Sequence, residues 1–314
     1  FLTLAVILGG GVWILAGSWG WHPSGWLLTQ FGYHDVGAAG VVHAVAGFFA
    51  LGVLMNLGAR IGKFKNGKPQ AIPPHNMPMS LLGLMMIIVG FFGFLGGCII
   101  FNTGDIGWTT IYGTQTNLSA FAFNTVMGFA GGVIGAYLIS RDPFWTMSGG
   151  LGGIITVAAG LDLYYPGLAF ALAASGGALM AKVGNFLEQR GLDDSVGAFA
   201  VHGFCGFYGV VLVGIFAAGF ANAEGMPDIS FTGQLVGAVV MALTGFIPGW
   251  GISYALKKFN LLRVPPHVEV LGLDLVEISA RPYPETESPQ GHSPQGVHGG
   301  LNKAFPMAKR QDIS

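Results

Sequence analysis

Charged side chains are scarce in this chain, and their scarcity excludes most soluble folds. Only 9% of the 314 residues are Asp, Glu, Lys or Arg, whereas 52% are hydrophobic. A typical soluble domain carries about 25% charged residues. The formal net charge is only −1, so the chain has no excess of basic residues for a nucleic-acid surface. The composition predicts an all-α integral membrane protein whose surroundings are a lipid bilayer, with no nucleic-acid partner.

Cysteine is almost absent, and the few sulfur ligands limit the chemistry that is available. Cys98 and Cys205 are the two cysteines, and both lie in apolar runs, which excludes a disulfide framework and a thiolate metal site. Glycine is abundant instead, at 53 residues, and small residues let membrane helices pack closely. The chain carries no catalytic motif. We therefore expect neither an enzyme nor a bound cofactor or metal.

Apolar runs of about 20 residues, the length that crosses a bilayer, recur eight times. They occupy residues 1–19, 37–58, 78–101, 114–140, 144–163, 167–187, 196–220 and 231–256. If the runs alternate in direction, every Lys and Arg lies at or beyond one membrane face, because the opposite connections contain none. The positive-inside rule makes that side the cytoplasm. The pattern predicts eight spans, with Phe1 and the C terminus cytoplasmic. The expected location is a bacterial inner membrane.

A short motif occurs twice, in spans that should run in opposite directions. The sequence VVHAVAGFF surrounds His43, and AVHGFCGFY surrounds His202. Each His is preceded by an Asp eight residues earlier, Asp35 and Asp194 respectively. This pattern is typical of an inverted repeat, which places its site at the repeat interface near the membrane midplane. A five-span second unit further predicts that three more spans precede the first one.

Several ordered blocks resemble the ammonium transporter (Amt/Mep/Rh) family, in particular its Amt branch. HDVGAAGVVH resembles the family's DFAGG..VH stretch, and HNMPMSLLGLMMIIVGFFGFLGGC runs without a gap along its HNLP helix. GLDDSVGAFAVHGFCGFYGVVLVGIFA resembles the segment of its second histidine. The resemblance covers roughly residues 20–280 and implies the fourth to eleventh helices of an eleven-helix fold. That fold would be an inverted five-helix repeat with one long C-terminal helix.

The resemblance also implies site residues. It makes His43 and His202 the pore histidines and Phe94 a gating ring. It also makes Trp21 the wall of an external cation site, with Asp35 as a structural aspartate below that site. Cys98 would be the counterpart of a serine. Phe101 and Asp105 are alternatives to Phe94 and Cys98, because an FNTGD motif follows at 101–105 and could take the same place in the alignment. Asp194 fits a helix N-cap. Gly272 and Asp274 belong to a segment that resembles the part of the family's cytoplasmic C-terminal region that is regulated by PII signal proteins.

The expected organisation is a transmembrane domain at 1–259, a cytoplasmic regulatory segment at 260–287 and a disordered Pro/Gly/Gln tail at 288–314. The resemblance implies a homotrimer and a PII-type signal protein as a partner. It also implies ammonium or ammonia as the substrate, with methylammonium as a further candidate. The predicted function is to recruit ammonium at Trp21, deprotonate it and conduct ammonia past the two histidines, with relay of the proton.

Three alternatives stay open at this point. The same scaffold could be an ammonium sensor or an Rh-like gas channel. In a different class, His43 and His202 could ligate a haem in a membrane redox subunit. Outside the repeat, His22, His34 and His75 are expected to be solvated loop residues, and Asp162 is expected to lie at the membrane interface.

Overall fold

The computed structural model describes residues 1–74, 76–100, 118–222, 225–274 and 276, with only the backbone of residues 99 and 100. Within these ranges the chain is helical apart from its connections and one hairpin. The helices are α1 (Leu2–Gly20), α2 (Trp26–Phe31), α3 (Ala39–Leu57), α4 (Met77–Ile100), α5 (Leu118–Ser140), α6 (Pro143–Ala158), α7 (Pro166–Gln189), α8 (Ala198–Phe216), α9 (Phe231–Lys258) and α10 (Pro266–Leu271). His75, Phe101, Asp105 and the whole tail at 288–314 lie outside the described residues.

The helix starts follow local signals in the sequence. Asp142 precedes the proline that opens α6, and its carboxylate accepts a hydrogen bond from the Trp145 amide at 2.9 Å. Ser230 caps α9 in the same way, through the Gly233 amide at 3.0 Å. Both bonds satisfy amide groups that have no partner within the helix. The hairpin β1 (Phe64–Lys65) and β2 (Lys68–Pro69) turns through the Asn-Gly pair that favours such turns.

Seven helices within the described residues are long and apolar enough to cross a membrane, namely α1, α3, α4, α5, α7, α8 and α9. The remaining predicted span, 144–163, forms α6, which has only 16 residues. A helix of that length rises about 24 Å, less than the roughly 30 Å of a bilayer core. Helix α6 is shorter than predicted because its last residues leave the helix as turns at 159–163.

The direction of α6 nevertheless agrees with eight alternating passages. Gly132 of α5 lies against Gly149 and Gly153 of α6, and Gly128, one turn earlier, faces Val157 near the end of α6. Contacts that advance on one helix while they retreat on the other show that α5 and α6 are antiparallel.

Helix α7 returns in the direction of α5. Gly131 of α5 packs against the carbonyl of Phe170, and Gly135 packs against the carbonyl of Ala174, so these contacts advance together along both helices. Side chains larger than hydrogen would keep the two backbones apart at both points. Helix α6 therefore carries the chain back between two parallel helices.

The chain divides into two compact units, residues 1–263 and 264–314. The division lies four residues after the end of the transmembrane domain that the sequence predicts. The first unit contains the helices α1 to α9. In the second unit, Gly272 ends α10 with a φ of +92°, and Asp274 is exposed.

Candidate functional site

The two repeated histidines face each other at the centre of the first unit. The Nδ1 atoms of His43 and His202 are 3.1 Å apart, and their rings lie 5.2 Å apart at an interplanar angle of 15°. A hydrogen bond of this kind needs one protonated and one unprotonated nitrogen, so the pair shares one N–H between its rings. Each ring then keeps one Nε2 for other contacts. The Nε2 of His43 is buried and has no hydrogen-bond partner among the described residues.

Both histidines lie in π-helical turns at the start of their helices, Ala39–Ala44 in α3 and Ala198–Phe204 in α8. A π turn inserts an extra residue into the helical ladder and often marks a functional site. Each π turn follows a residue with a left-handed backbone, Ala38 at φ +69° and Gly197 at φ +70°. These two residues are as far apart along the chain as the histidines, so the repeat extends to the backbone conformation.

Small residues let the two helices cross closely enough for the rings to meet. Gly47 of α3 lies against the backbone of Gly203, and Gly206 of α8 lies against the backbone of Ala44. The two contacts are equivalent, because Gly206 follows Gly47 and Gly203 follows Ala44 by the same 159 residues that separate the histidines. The helices run in opposite directions at this crossing, as an inverted repeat requires.

One aspartate stabilises the start of each π turn. Asp35 accepts hydrogen bonds through Oδ2 from the amides of Gly40 and Val41, at 2.9 and 2.8 Å, and from the Tyr33 hydroxyl at 3.1 Å. Burial raises the pKa of Asp35 above its ordinary value, although these hydrogen bonds oppose the rise. Its Oδ1 is buried and has no hydrogen-bond partner among the described residues.

Asp194 does the same in the second repeat. It accepts hydrogen bonds from the amides of Ala198 and Phe199, at 2.7 and 2.8 Å. Burial again raises the pKa of the carboxyl, and the amide hydrogen bonds oppose the rise. Asp194 thus satisfies the first amides of α8, which the helix itself leaves without partners.

Aromatic rings surround His43 on the α4 side. Phe94 meets the His43 ring edge-on at 6.1 Å, and 38% of its surface is exposed. Phe91 lies parallel to the same ring, at 6.1 Å and 6°, and also contacts Phe129 at 5.6 Å. Phe91 is a contact of His43 that was not predicted from the sequence, although its position three residues before Phe94 places both on one face of the helix.

Trp21 is fixed beside Asp35. Its indole Nε1 donates a hydrogen bond of 2.7 Å to the Asp35 carbonyl, and the side chain is partly buried. Cys98 is a free, partly buried thiol near the end of α4. The structure therefore brings Trp21 to Asp35 and Phe94 to His43, and it joins the two histidines.

His34 is buried, and the expectation that it is solvated is wrong. It is 9% exposed, with Nε2 3.1 Å from Oδ1 of Asp162 and Nδ1 3.0 Å from Oδ1 of Asn222. Asp162 is buried as well, with only 1% of its surface exposed. Burial lowers the pKa of His34, but Asp162 and the hydrogen bonds outweigh it and raise the pKa to about 9. By contrast, His22 is exposed.

Ion pairs connect the loops on the side where the basic residues gather. Arg60 holds Asp193 with two side-chain hydrogen bonds of 2.8 Å, and Lys63 holds Glu188 at 2.6 Å. Burial raises the pKa of Asp193, but the contacts with Arg60 outweigh it and lower the pKa overall. These pairs join the loop after α3 to the end of α7 and the loop after it.

The geometry of the histidine pair argues against a haem between the two rings. Two ring nitrogens on opposite sides of one metal ion, each about 2.0–2.1 Å from it, would be about 4 Å apart. The Nδ1 atoms are 3.1 Å apart, which is a hydrogen-bond distance. Within the described ranges, no group of three or more His, Cys, Asp or Glu side chains is arranged to hold a metal ion.

Comparisons with known proteins agree with the fold. A family model described as Ammonium Transporter Family matches residues 1–283. Ammonium transporter Amt1 of Methanocaldococcus jannaschii is 33% identical over 90% of this chain and 69% of its own length. Ammonium transporter Amt2 of Archaeoglobus fulgidus is 31% identical over 92% of this chain and 66% of its own length. The chain thus spans about two thirds of these relatives.

Among solved structures, one named "Sensor Amt Protein" superimposes with a TM-score of 0.74. It is 28% identical, and the match covers 85% of this chain and 67% of the solved chain. The two relatives from Methanocaldococcus jannaschii and Archaeoglobus fulgidus are both named as transporters, in agreement with the prediction that the chain is not an enzyme.

Proposed function

The chain belongs to the ammonium transporter family, and on this basis we propose that it conducts ammonia and relays a proton past His43 and His202. The observation that carries this proposal is the direct contact between the two Nδ1 atoms, at 3.1 Å. An imidazole pair that shares one N–H can accept and release a proton without a permanent buried charge. The pair is also largely buried, so a hydrated cation would pass it only at a high cost in dehydration.

Selectivity follows from the chemistry of ammonium. Potassium and ammonium are both cations and close in size, and an apolar bore resists both of them. Ammonium alone can lose a proton, and desolvation favours the neutral form. The neutral molecule still forms hydrogen bonds with the Nε2 atoms of the two rings. Reconstituted protein should therefore carry ammonium-induced current while it excludes potassium, and a potassium current of equal size would contradict the proposal.

An external recruitment site at Trp21 is the second part of the proposal. The face of an indole attracts cations, and the hydrogen bond to Asp35 holds this indole in one orientation. We expect Trp21→Ala to raise the half-saturating methylammonium concentration by roughly 2- to 30-fold, which corresponds to about 0.5–2 kcal/mol of cation–π attraction. The maximum rate should change less, because this site concentrates the substrate but takes no part in proton transfer.

Trp21→Phe is the matched control, because it keeps an aromatic face but loses the donor to Asp35. It should fall between the wild type and Trp21→Ala in uptake titrations. Unchanged concentration dependence in Trp21→Ala would remove the recruitment site from the proposal.

Cys98 tests the same site from α4. The resemblance equates it with a serine, and a hydroxyl accepts a hydrogen bond better than a thiol. Cys98→Ser should therefore keep or lower the half-saturating concentration, whereas Cys98→Ala should not lower it. Competition binding or current titration measures both variants. A marked loss of affinity in Cys98→Ser would show that Cys98 does not occupy the serine position.

An ammonium sensor is the second candidate, because the solved structure with 28% identity is named as a sensor. A sensor would bind ammonium, but the transport flux would not rise in proportion to the amount of ammonium bound. Flux and binding measured on the same reconstituted sample separate the two functions. We also propose, from the family resemblance, a homotrimer in the inner membrane with a PII-type partner at the cytoplasmic tail, and size-exclusion chromatography with light scattering tests the trimer.

A further inference from the structure

His34 lies outside the histidine pair and makes polar contacts that determine its charge. Nδ1 of His34 lies 3.0 Å from Oδ1 of Asn222, and the Nδ2 of the same amide donates to the Tyr33 carbonyl at 3.1 Å. A carbonyl accepts only, so this second bond fixes the orientation of the Asn222 amide. Oδ1 of Asn222 is then the atom that faces His34, and Nδ1 of His34 must be the donor.

The other ring nitrogen faces a carboxylate. Nε2 of His34 lies 3.1 Å from Oδ1 of Asp162, and an ionised carboxylate is also an acceptor only. A neutral imidazole has just one N–H, whereas an imidazolium has two. We propose that His34 is an imidazolium, paired with Asp162, and that this pair is the positioning element for the segment that carries Asp35 and orients Trp21.

Residues 33–37 form that segment, here named the mouth segment. Its first three carbonyls each accept a hydrogen bond from a side chain of another element, namely Asn222 at 3.1 Å, Gln234 at 2.9 Å and Trp21 at 2.7 Å. Three side chains from three parts of the chain therefore converge on three consecutive residues. The indole of Trp21 is held by the same stretch of backbone that His34 anchors.

The loop after α6 holds the mouth segment from its other side. The amides of Val36 and Gly37 donate to the carbonyls of Ala159 and Ala158, at 3.1 and 3.0 Å. Asp162, three residues further on, supplies the ion pair with His34. The ion pair between His34 and Asp162 therefore adds a charged contact to the mouth segment, which is otherwise held by hydrogen bonds from backbone amides and neutral side chains.

The inference rests on the proposed function for its effect on transport, but not for the charge of His34. If Trp21 recruits ammonium, a loosened mouth segment misplaces the indole and weakens recruitment. Proton transfer at His43 and His202 is left in place. His34 is therefore a positioning residue, and its loss should alter the half-saturating concentration more than the maximum rate.

The pH dependence follows from the groups around His34. Asp162 and Asp35 are the carboxylates that raise its pKa to about 9, against the effect of burial. Tyr33 and Tyr164 stay neutral, because burial raises the pKa of each phenol. A histidine with a raised pKa stabilises the folded state fully below its unfolded value of about 6.5, and the stabilisation is lost as the pH passes about 9. The mouth segment should therefore loosen between neutral pH and pH 10.

The deciding experiment is an NMR titration of wild-type protein labelled with 15N at histidine, with the His34 signals assigned by their loss in His34→Gln. We expect both His34 nitrogens to be protonated at pH 7 and to titrate near pH 9. In Asp162→Asn the midpoint should fall below 7, since burial then dominates. A neutral His34 at pH 7 in the wild type would overturn the inference, whatever the transport assays show.

Transport assays then test the positioning role. His34→Gln should raise the half-saturating methylammonium concentration roughly three- to tenfold, the scale of one lost intramolecular hydrogen bond of ordinary strength, with little change in the maximum rate. The exposed loop residue gives the matched control, and His22→Gln should behave as wild type. The double variant His34→Gln/Asp162→Asn removes both charges and should bind better than His34→Gln alone, because no unpaired carboxylate remains. An unchanged half-saturating concentration in His34→Gln would overturn the positioning role, while an effect of Trp21→Ala would still support recruitment.

Discussion

Replacing His43 by Ala should abolish ammonium-induced charge transport, and His202→Ala should do the same. Each ring supplies one side of the shared Nδ1 hydrogen bond, so the loss of either leaves the other without its partner. The proton relay then ends, and the double variant should be no worse than either single one. Such non-additivity is expected of two residues that act as one unit. Current recordings from proteoliposomes with ammonium and with potassium measure it.

The histidine variants need a control for folding and for general loss of a His. His22→Ala serves this purpose, because His22 is exposed and lies in a loop outside the pore. His202→Glu should retain part of the current, since a carboxylate also accepts a proton, but with poorer exclusion of metal cations. If both alanine variants kept the wild-type current and selectivity, the two histidines would have only a packing role.

Gly47→Ala should be the most damaging of small substitutions in α3. A Cβ at this position would overlap the backbone of Gly203, and backbone atoms cannot rotate out of the way. The helices would have to move apart, which separates the imidazoles that the crossing brings together. We expect a loss of roughly 2–4 kcal/mol of stability. Thermal unfolding of the protein in detergent measures the loss as a lowered melting temperature.

Gly251→Ala is the matched control for this effect. Gly251 lies in α9, and a Cβ there would meet no atom within 4 Å. Ala has a higher helix propensity than Gly by about 0.8–1.0 kcal/mol, so this variant should be as stable as the wild type or slightly more. If Gly47→Ala had the same melting temperature as Gly251→Ala, the crossing of α3 and α8 would tolerate a wider spacing.

Periodicity and local repetition predicted much of the fold and the centre of the site. The apolar runs marked the long helices, since a spanning helix must be apolar over its length. The shared frame of His43 and His202 predicted opposite helix directions, and the contacts of Gly47 and Gly206 agree with them. Both features are written in neighbouring residues, which a single sequence reports directly.

Pairings between distant parts of the chain could not be predicted in this way. His34 and Asp162 are 128 residues apart, and nothing near His34 in the sequence distinguishes a buried imidazolium from a solvated one. Phe91 is one of several similar phenylalanines in α4, and only the position of His43 selects it. The shortening of α6 also depends on contacts, because the carbonyls of Ala158 and Ala159 accept hydrogen bonds from the mouth segment where the helix ends.

The crossing of α3 and α8 has a consequence for the direction of flow. Gly47 faces Gly203 as Gly206 faces Ala44, and the caps Asp35 and Asp194 stand at matching distances before each histidine. The backbone around the two histidines is therefore nearly symmetric, whereas the aromatic side chains are not, since Phe91 and Phe94 lie against His43. The two mouths differ, with Trp21 beside one cap and Arg60 near the other. Under the proposed function, this difference bears on how ammonium is recruited at each entrance. The net direction of transport is then set by the concentration gradient and the membrane potential.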